Sequence, residues 1–180
     1  LSDQIGVPRM STDLPEFAAA EKAVQDKIDK LMAIQGKRSV DSIHKELGLI
    51  MWDFVGMGRT AEGLKEGIKK IDAIKKEFWT NVYIPGTADH LNNELEKALR
   101  LADFIEIGRL MAVDALHREE SCGGHFREEY QTPEGEALRQ DDKFSYVGCW
   151  KYMGEDKEPQ LIKEPLDYEF TERKTRNYKN

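Results

Sequence analysis

Leu116-His117-Arg118-Glu119-Glu120-Ser121-Cys122-Gly123-Gly124-His125-Phe126-Arg127-Glu128-Glu129-Tyr130 divides this chain of 180 residues into two halves of different character. Up to Leu116, apolar residues recur at steps of three and four, the period of a helix with one face on a core. Beyond it, charges, two histidines, a thiol and a glycine pair crowd together, and that period is gone. Gly123-Gly124 makes further helix costly and a turn cheap, so the pair reads as the helix terminator.

Working back from this stretch, the helix that ends in it starts after Pro85-Gly86, with Thr87 or Asp89 as its cap. Leu91, Leu95, Ala98, Leu99, Ala102, Ile105, Ala112 and Leu116 share one of its faces, and Glu96 and Arg100 form an i,i+4 pair. An earlier helix opens at Thr60 and buries Leu64, Ile68, Ile71, Ile74 and Phe78. Its Lys65, Glu66, Lys69, Lys70, Lys75, Lys76 and Glu77 read as a solvated face. Before that, Ser39 or Asp41 caps a helix through Ile43, Leu47, Ile50, Met51, Phe54 and Val55 that stops at Gly56-Met57-Gly58. The first helix has Asp13 or Thr12 as cap, Pro15 and Glu16 in its first turn, a stripe of Phe17, Ala20, Val24, Ile28, Leu31 and Met32, and Gly36 as its stop.

Four amphipathic helices joined by short connections bury their stripes best side by side. The expected fold is mainly α: an antiparallel up-and-down helical bundle with a three-helix, spectrin-repeat-like core and an additional N-terminal helix. Working forward, 132–142 is polar and holds Pro133 and Gly135, a loop. Phe144 to Met153 and Leu161 to Phe170 are rich in aromatic and branched residues and flank a turn-like Gly154 to Pro159, which predicts a β-hairpin. Such a ribbon is marginal alone, so its apolar face must lie on the bundle or on a missing partner. Thr171 to Asn180 is a basic, polar, extended tail. The division is an extended lead-in at 1–12, the bundle at 13–122, and loop, hairpin and tail at 123–180. Leu1 to Pro8 shows no period and begins without methionine, so the chain reads as one entered partway along, an excised fragment or a processed product.

Composition narrows the function. A formal charge of -7 argues against nucleic acid, which needs a concentrated excess of Lys and Arg. No apolar run approaches the roughly 20 residues that span a bilayer, which argues against direct membrane insertion. Cys122 and Cys149 do not make a disulfide framework, and reduced thiols in a cytoplasmic protein are the expected state.

Three chemistries can be weighed on the opening stretch. Cys122 and His125 have the spacing of half a zinc site, with His117 and Cys149 as further ligands, but a second closely spaced pair is missing, and packing contacts at a helix end serve equally well. Cys122 as a nucleophile would need an oriented base in His117 or His125 and a lowered pKa, neither of which a sequence displays. Glu119, Glu120, Glu128 and Glu129 alternate with Arg118 and Arg127, a pattern of charge pairing and of a docking surface for another domain. No glycine-rich phosphate loop follows a strand, so a dinucleotide fold is not expected.

The segment Arg118-Glu119-Glu120-Ser121-Cys122-Gly123-Gly124-His125-Phe126-Arg127-Glu128-Glu129 resembles the Arg-x-Glu-Ser-(Arg or Cys)-Gly-(Ala or Gly)-His-x-Arg signature in the C-terminal domain of succinate dehydrogenase and fumarate reductase flavoprotein subunits. His44-Lys45-Glu46-Leu47, Gly58-Arg59-Thr60, Glu62-Gly63-Leu64 and Asn92-Asn93-Glu94-Leu95 are similar to that family's helical domain. Asp141-Asp142, Leu166-Asp167-Tyr168 and Arg176-Asn177-Tyr178 are similar to its C-terminal segment. Cys122 and Gly124 stand where many members carry arginine and alanine, and the form running on through Tyr130-Gln131-Thr132-Pro133 looks like a bacterial, Bacteroides-like branch. L-aspartate oxidases share a shorter version of the signature and are the second reading; an independent helical interaction module is the third.

The resemblance implies that the FAD-binding fold and the dicarboxylate-handling residues lie upstream of this domain. It therefore assigns no catalytic, cofactor-binding or metal residue to this chain, which is expected to be inactive alone, and leaves FAD to the parent subunit. The parent interconverts fumarate and succinate. The implied partners are the flavin-binding domain of the same subunit, an iron-sulfur subunit and a membrane anchor, at the inner face of the cell membrane. Arg118, Glu120, His125, Arg127 and Glu129 are then the expected tethers to the flavin domain.

Overall fold

The computed structural model describes residues 6, 11–154 and 157–174. The element order is α1 (Pro15–Ala33), β1 (Arg38–Ser39), α2 (Val40–Val55), α3 (Ala61–Asn81), β2 (Val82–Tyr83), α4 (Asn93–His117), α5 (Asp141–Phe144), β3 (Tyr146–Lys151) and β4 (Gln160–Pro165). The chain forms two compact units, one of residues 1–49 and 70–109 and the other of 50–69 and 110–180. Helices α2, α3 and α4 each contribute residues to both units.

In the first unit the period-3.6 stripes close on each other. Leu31, Val40, Ile43, Leu47, Ile71, Ile74, Phe78, Val82, Ile84, Leu95, Ala98, Leu101, Ala102 and Ile105 are all buried. Charged pairs ring this core: Lys27 with Asp103, Lys97 with Asp41, Arg109 with Asp72 and Arg38 with Glu46 and Glu77. A two-residue parallel pairing of β1 with β2 was not foreseen from the sequence, because two residues carry no period. It depends on Gly36, whose N–H donates to Val82 O at 2.9 Å, and where a Cβ would fall 2.0 Å from the Asn81 carbonyl atoms.

Helix ends require several corrections. Asp13 and Thr12 do not cap α1: Leu14 holds the cap position with no side-chain bond, while Asp13 is engaged with Ser11. The helix stops at Ala33, with Gln35 at φ 46, just before Gly36. Ser39 rather than Asp41 caps α2, accepting from the Ser42 N–H at 3.2 Å, and Thr60 caps α3 as expected, accepting from the Gly63 N–H at 3.0 Å. Helix α4 is capped by Asn92, whose Oδ1 accepts from the N–H groups of Glu94 and Leu95 at 3.1 Å each, and not by Thr87 or Asp89. Leu91 thus lies outside the helix and is 96% exposed. The stripe of α1 is fully buried at Leu31 and partly covered at Ile28 and Met32, while Phe17 and Val24 are about half exposed.

In the second unit Ile50, Val55, Leu64, Ala112, Ala115, Phe144 and Tyr146 are buried. Strand β3 pairs antiparallel with β4, Tyr146 opposite Pro165 and Trp150 opposite Leu161. The strands are shorter than expected. Phe144 belongs to α5, which straddles the end of the expected loop and the start of the expected first strand, and β4 ends at Pro165 rather than at Phe170. Tyr146, Gly148 and Trp150 share one face, and it lies on α4: Trp150 Nε1 donates to Asp114 Oδ1 at 2.7 Å and His117 Nε2 meets the Tyr146 hydroxyl at 2.9 Å. A Cβ at Gly148 would fall 3.3 Å from Leu161, so the close approach suits glycine. Most of 1–10 and the Arg176-Asn177-Tyr178 segment lie outside the described residues.

Candidate functional site

The opening stretch lies wholly in the second unit, where its charges are spent on helix ends. Helix termini leave backbone groups without partners, and side chains or water must satisfy them. Arg127, 2% exposed, donates through Nη1 to the last carbonyls of α4, Ala115 O at 2.9 Å and Leu116 O at 3.3 Å. Its Nε donates to Glu129 Oε2 at 3.2 Å, and the other Glu129 oxygen accepts from the Ala61 N–H at the start of α3. A carboxylate at a helix N-terminus and a cation at a C-terminus both agree with the helix dipole. Arg59 treats α2 the same way, its Nε donating to Val55 O at 3.1 Å and Gly56 O at 2.9 Å. Backbone bonds from Arg59 N to Phe126 O and from Glu128 N to Arg59 O complete a short parallel bridge.

The segment is fixed from within as well. Buried Glu120 accepts from Arg118 Nη1 and from the Gln140 N–H, both at 2.8 Å. Buried Ser121 accepts from Arg127 N–H at 2.9 Å and donates to Arg127 O at 3.1 Å. Cys122 and His125 exchange two backbone bonds, and Gly123 at φ 59 occupies the turn position that favours glycine. The glycine pair is therefore a hairpin tip. It does not terminate α4, which ends earlier, at His117, with Arg127 donating to two of its last carbonyls.

His125 is held at both ring nitrogens: Nδ1 accepts from Arg59 Nη1 at 2.8 Å, which leaves Nε2 as the donor to Arg118 O at 2.9 Å. Burial lowers its pKa from the ordinary 6.5, and the bond to the Arg118 carbonyl opposes this. The charges of Arg59, Arg127 and Arg118 push it further down. Burial also lowers Arg59, with Asp114 opposing and Arg127 assisting. For Glu129 burial acts upward, but the bonds from Ala61 N–H and from Arg127 prevail and hold its carboxyl below the usual value. Arg59, Met111, Asp114, Arg118, Cys122 and His125 line a cleft of about 340 Å³.

All five residues expected as tethers meet here, Arg118 with Glu120, Arg127 with Glu129, and His125 between them. Sequence reasoning missed Arg59, Asp114 and Trp150 as members. The signal for Arg59 was its position between a glycine helix stop and a Thr cap, where a long donor reaches the carbonyls just behind it. Cys122 and His125 are paired across the hairpin tip, and among the described residues no group of three or more His, Cys, Asp or Glu is placed to hold an ion. Cys149 faces outward on β3, and His117 packs its ring on Phe144 and Trp150.

Comparison with known proteins gives a consistent result. The family model described as fumarate reductase flavoprotein C-term matches residues 44–178. The chain is 31% identical over 111 residues to an uncharacterized FAD-dependent oxidoreductase of Methanocaldococcus jannaschii, covering 62% of this chain and 20% of that protein. It is 30% identical over 131 residues to the fumarate reductase flavoprotein subunit of Proteus vulgaris, covering 71% of this chain and 22% of that protein. The chain thus spans about a fifth of the length of these relatives. A variant FrdA chain of E. coli quinol fumarate reductase superposes with a TM-score of 0.77 at 23% identity, over 96% of this chain and 28% of that one, a likeness of fold.

Proposed function

The chain belongs to the fumarate reductase flavoprotein C-terminal family, and from that premise we propose that it serves as the helical, non-catalytic part of a flavoprotein subunit that interconverts fumarate and succinate through FAD. The observation that carries this reading is the family match across 44–178, which takes in most of α2, all of α3 and α4, and the Arg118–Glu129 segment. The flavin is assigned to polypeptide outside this chain. The reading is supported by the form of the strands that precede a helix here, which are two residues long and lead into no glycine-rich phosphate loop.

In this reading the 13–122 bundle supports a second segment, 123–180, against the flavin domain. Arg118 and His125 line the cleft and meet that neighbour directly, and Glu129 keeps 40% of its side chain exposed. Glu120 and Arg127 act from beneath by fixing the segment's shape. The parent assembly then adds an iron-sulfur subunit and a membrane anchor, with this domain at the inner face of the membrane. No helix among the described residues is long and apolar enough to cross a membrane itself.

The purified chain, assayed alone, should show no flavin absorbance and no reduction of fumarate by a viologen donor. The subunit that carries it should show both. Flavin retention with turnover by the isolated chain would overturn the assignment.

A further inference from the structure

The arginines around the opening stretch differ in one respect. Arg118 pairs with Glu120 at 2.8 Å, Arg127 with Glu129 at 3.2 Å and Arg139 with Asp141 at 2.8 Å. Arg59 bonds two helix carbonyls and a neutral imidazole, and among the described residues no carboxylate lies within ion-pair distance of it. Withdrawing a cation from water without a contacting counter-ion is unfavourable, and burial lowers the Arg59 pKa, opposed by the charge of Asp114, which makes no ion pair with it. Asp114, the acid that shares the cleft, already has Oδ1 on the Trp150 indole. The Arg59 fork is held rigidly from behind, so little side-chain freedom would be lost when a planar acceptor meets its free edge.

We propose that this cleft is the seat of a carboxylate, borne by an Asp or Glu side chain on the flavin-domain polypeptide of the same subunit. Arg59 and Arg118 would supply donors, while Met111, half exposed on the cleft wall, would cover the aliphatic stem. The cleft is large enough to admit such a side chain, and the matched relatives extend far beyond the span this chain covers. The choice of occupant rests on the function proposed above; the carboxylate preference rests on the cleft alone.

Cys122 lines the cleft and Cys149 stands exposed on β3, so one molecule contains both the reporter and its control. Iodoacetate and iodoacetamide alkylate a thiol alike but differ in charge. The iodoacetate-to-iodoacetamide rate ratio at Cys122 should exceed that at Cys149 several-fold. The amide of N-acetylglutamate should slow alkylation at Cys122 where that of N-acetylglutamine does not. Arg59→Gln should abolish both effects and Arg59→Lys should keep part of them; if Arg59→Gln does not fold, the two-amide competition on the unmodified chain decides. Equal ratios at the two cysteines and equal effects of the two amides would overturn the carboxylate seat. In the complete flavoprotein subunit Cys122 should be protected from both reagents. Full reactivity there would remove the flavin domain as occupant while leaving the preference of the isolated chain intact.

Discussion

His125 is a neutral imidazole fixed between an arginine that donates to it and a carbonyl that accepts from it, so adding a proton must break the Arg59 bond. Its pKa lies below the ordinary 6.5 in the folded chain and returns there on unfolding. Between these values the unfolded chain binds more protons, so stability rises with pH across the window. It is complete above 6.5 and is lost as pH falls from 6.5 toward the folded value. Glu129, held below its ordinary 4.5, adds a second loss as pH falls from 4.5. The urea midpoint should therefore decline in two steps on acidification, and His125→Asn should flatten the first while keeping the second. Arg127 is the other residue on which this region depends. Removing it leaves the α4 carbonyls without donors and Glu129 without its partner, so Arg127→Met should cost about 3 kcal/mol by chemical denaturation.

At the scale of elements, helix boundaries divide into those written locally and those set by distant partners. Thr60 and Ser39 stand immediately before their helices and cap them, so their function could be read directly. Asn92 caps α4 only because the chain after Pro85-Gly86 turns far enough for its Nδ2 to hold Pro85 O and Thr87 O, a geometry that nearby Thr and Asp residues mask in sequence. Asn92→Ala and Thr60→Ala should each lower stability by about 1 kcal/mol, whereas Thr87→Ala and Asp13→Ala should leave the α4 and α1 caps unchanged. The C-terminus of α4 was legible near His117 as a change of character; that Arg127 satisfies its last carbonyls is a contact across eleven residues, invisible to periodicity. Gly36 is a similar case. It reads as a helix stop, yet what requires glycine is the passage of the chain against Asn81, so Gly36→Ala should destabilise the first unit by about 2–3 kcal/mol, seen as a lowered thermal midpoint.

At the scale of the molecule, the apolar positions divide into those closed inside each unit and those left outside. The period-3.6 stripes identify Leu64, Ile71, Phe78 and Ile105 correctly as core, because each faces other helices of this chain. The same period on α1 marks Phe17 and Val24, which the described chain leaves about half exposed, and α4 presents Phe104, Ile107 and Met111, likewise about half exposed, at steps of three and four. Periodicity reports that a face is apolar and not what it meets, which is why the helices and the segment around Arg118 were readable while their outer contacts were not. Folded monomers rarely leave long apolar stripes in water. The isolated chain should therefore bind the dye ANS and self-associate in a concentration-dependent way by light scattering. Ile107→Glu with Met111→Lys should weaken that association without lowering the thermal midpoint, since neither side chain belongs to a buried core. An equal fall in the midpoint would mean that the stripe supports the fold itself. Unchanged association would remove α4 as the exposed face responsible.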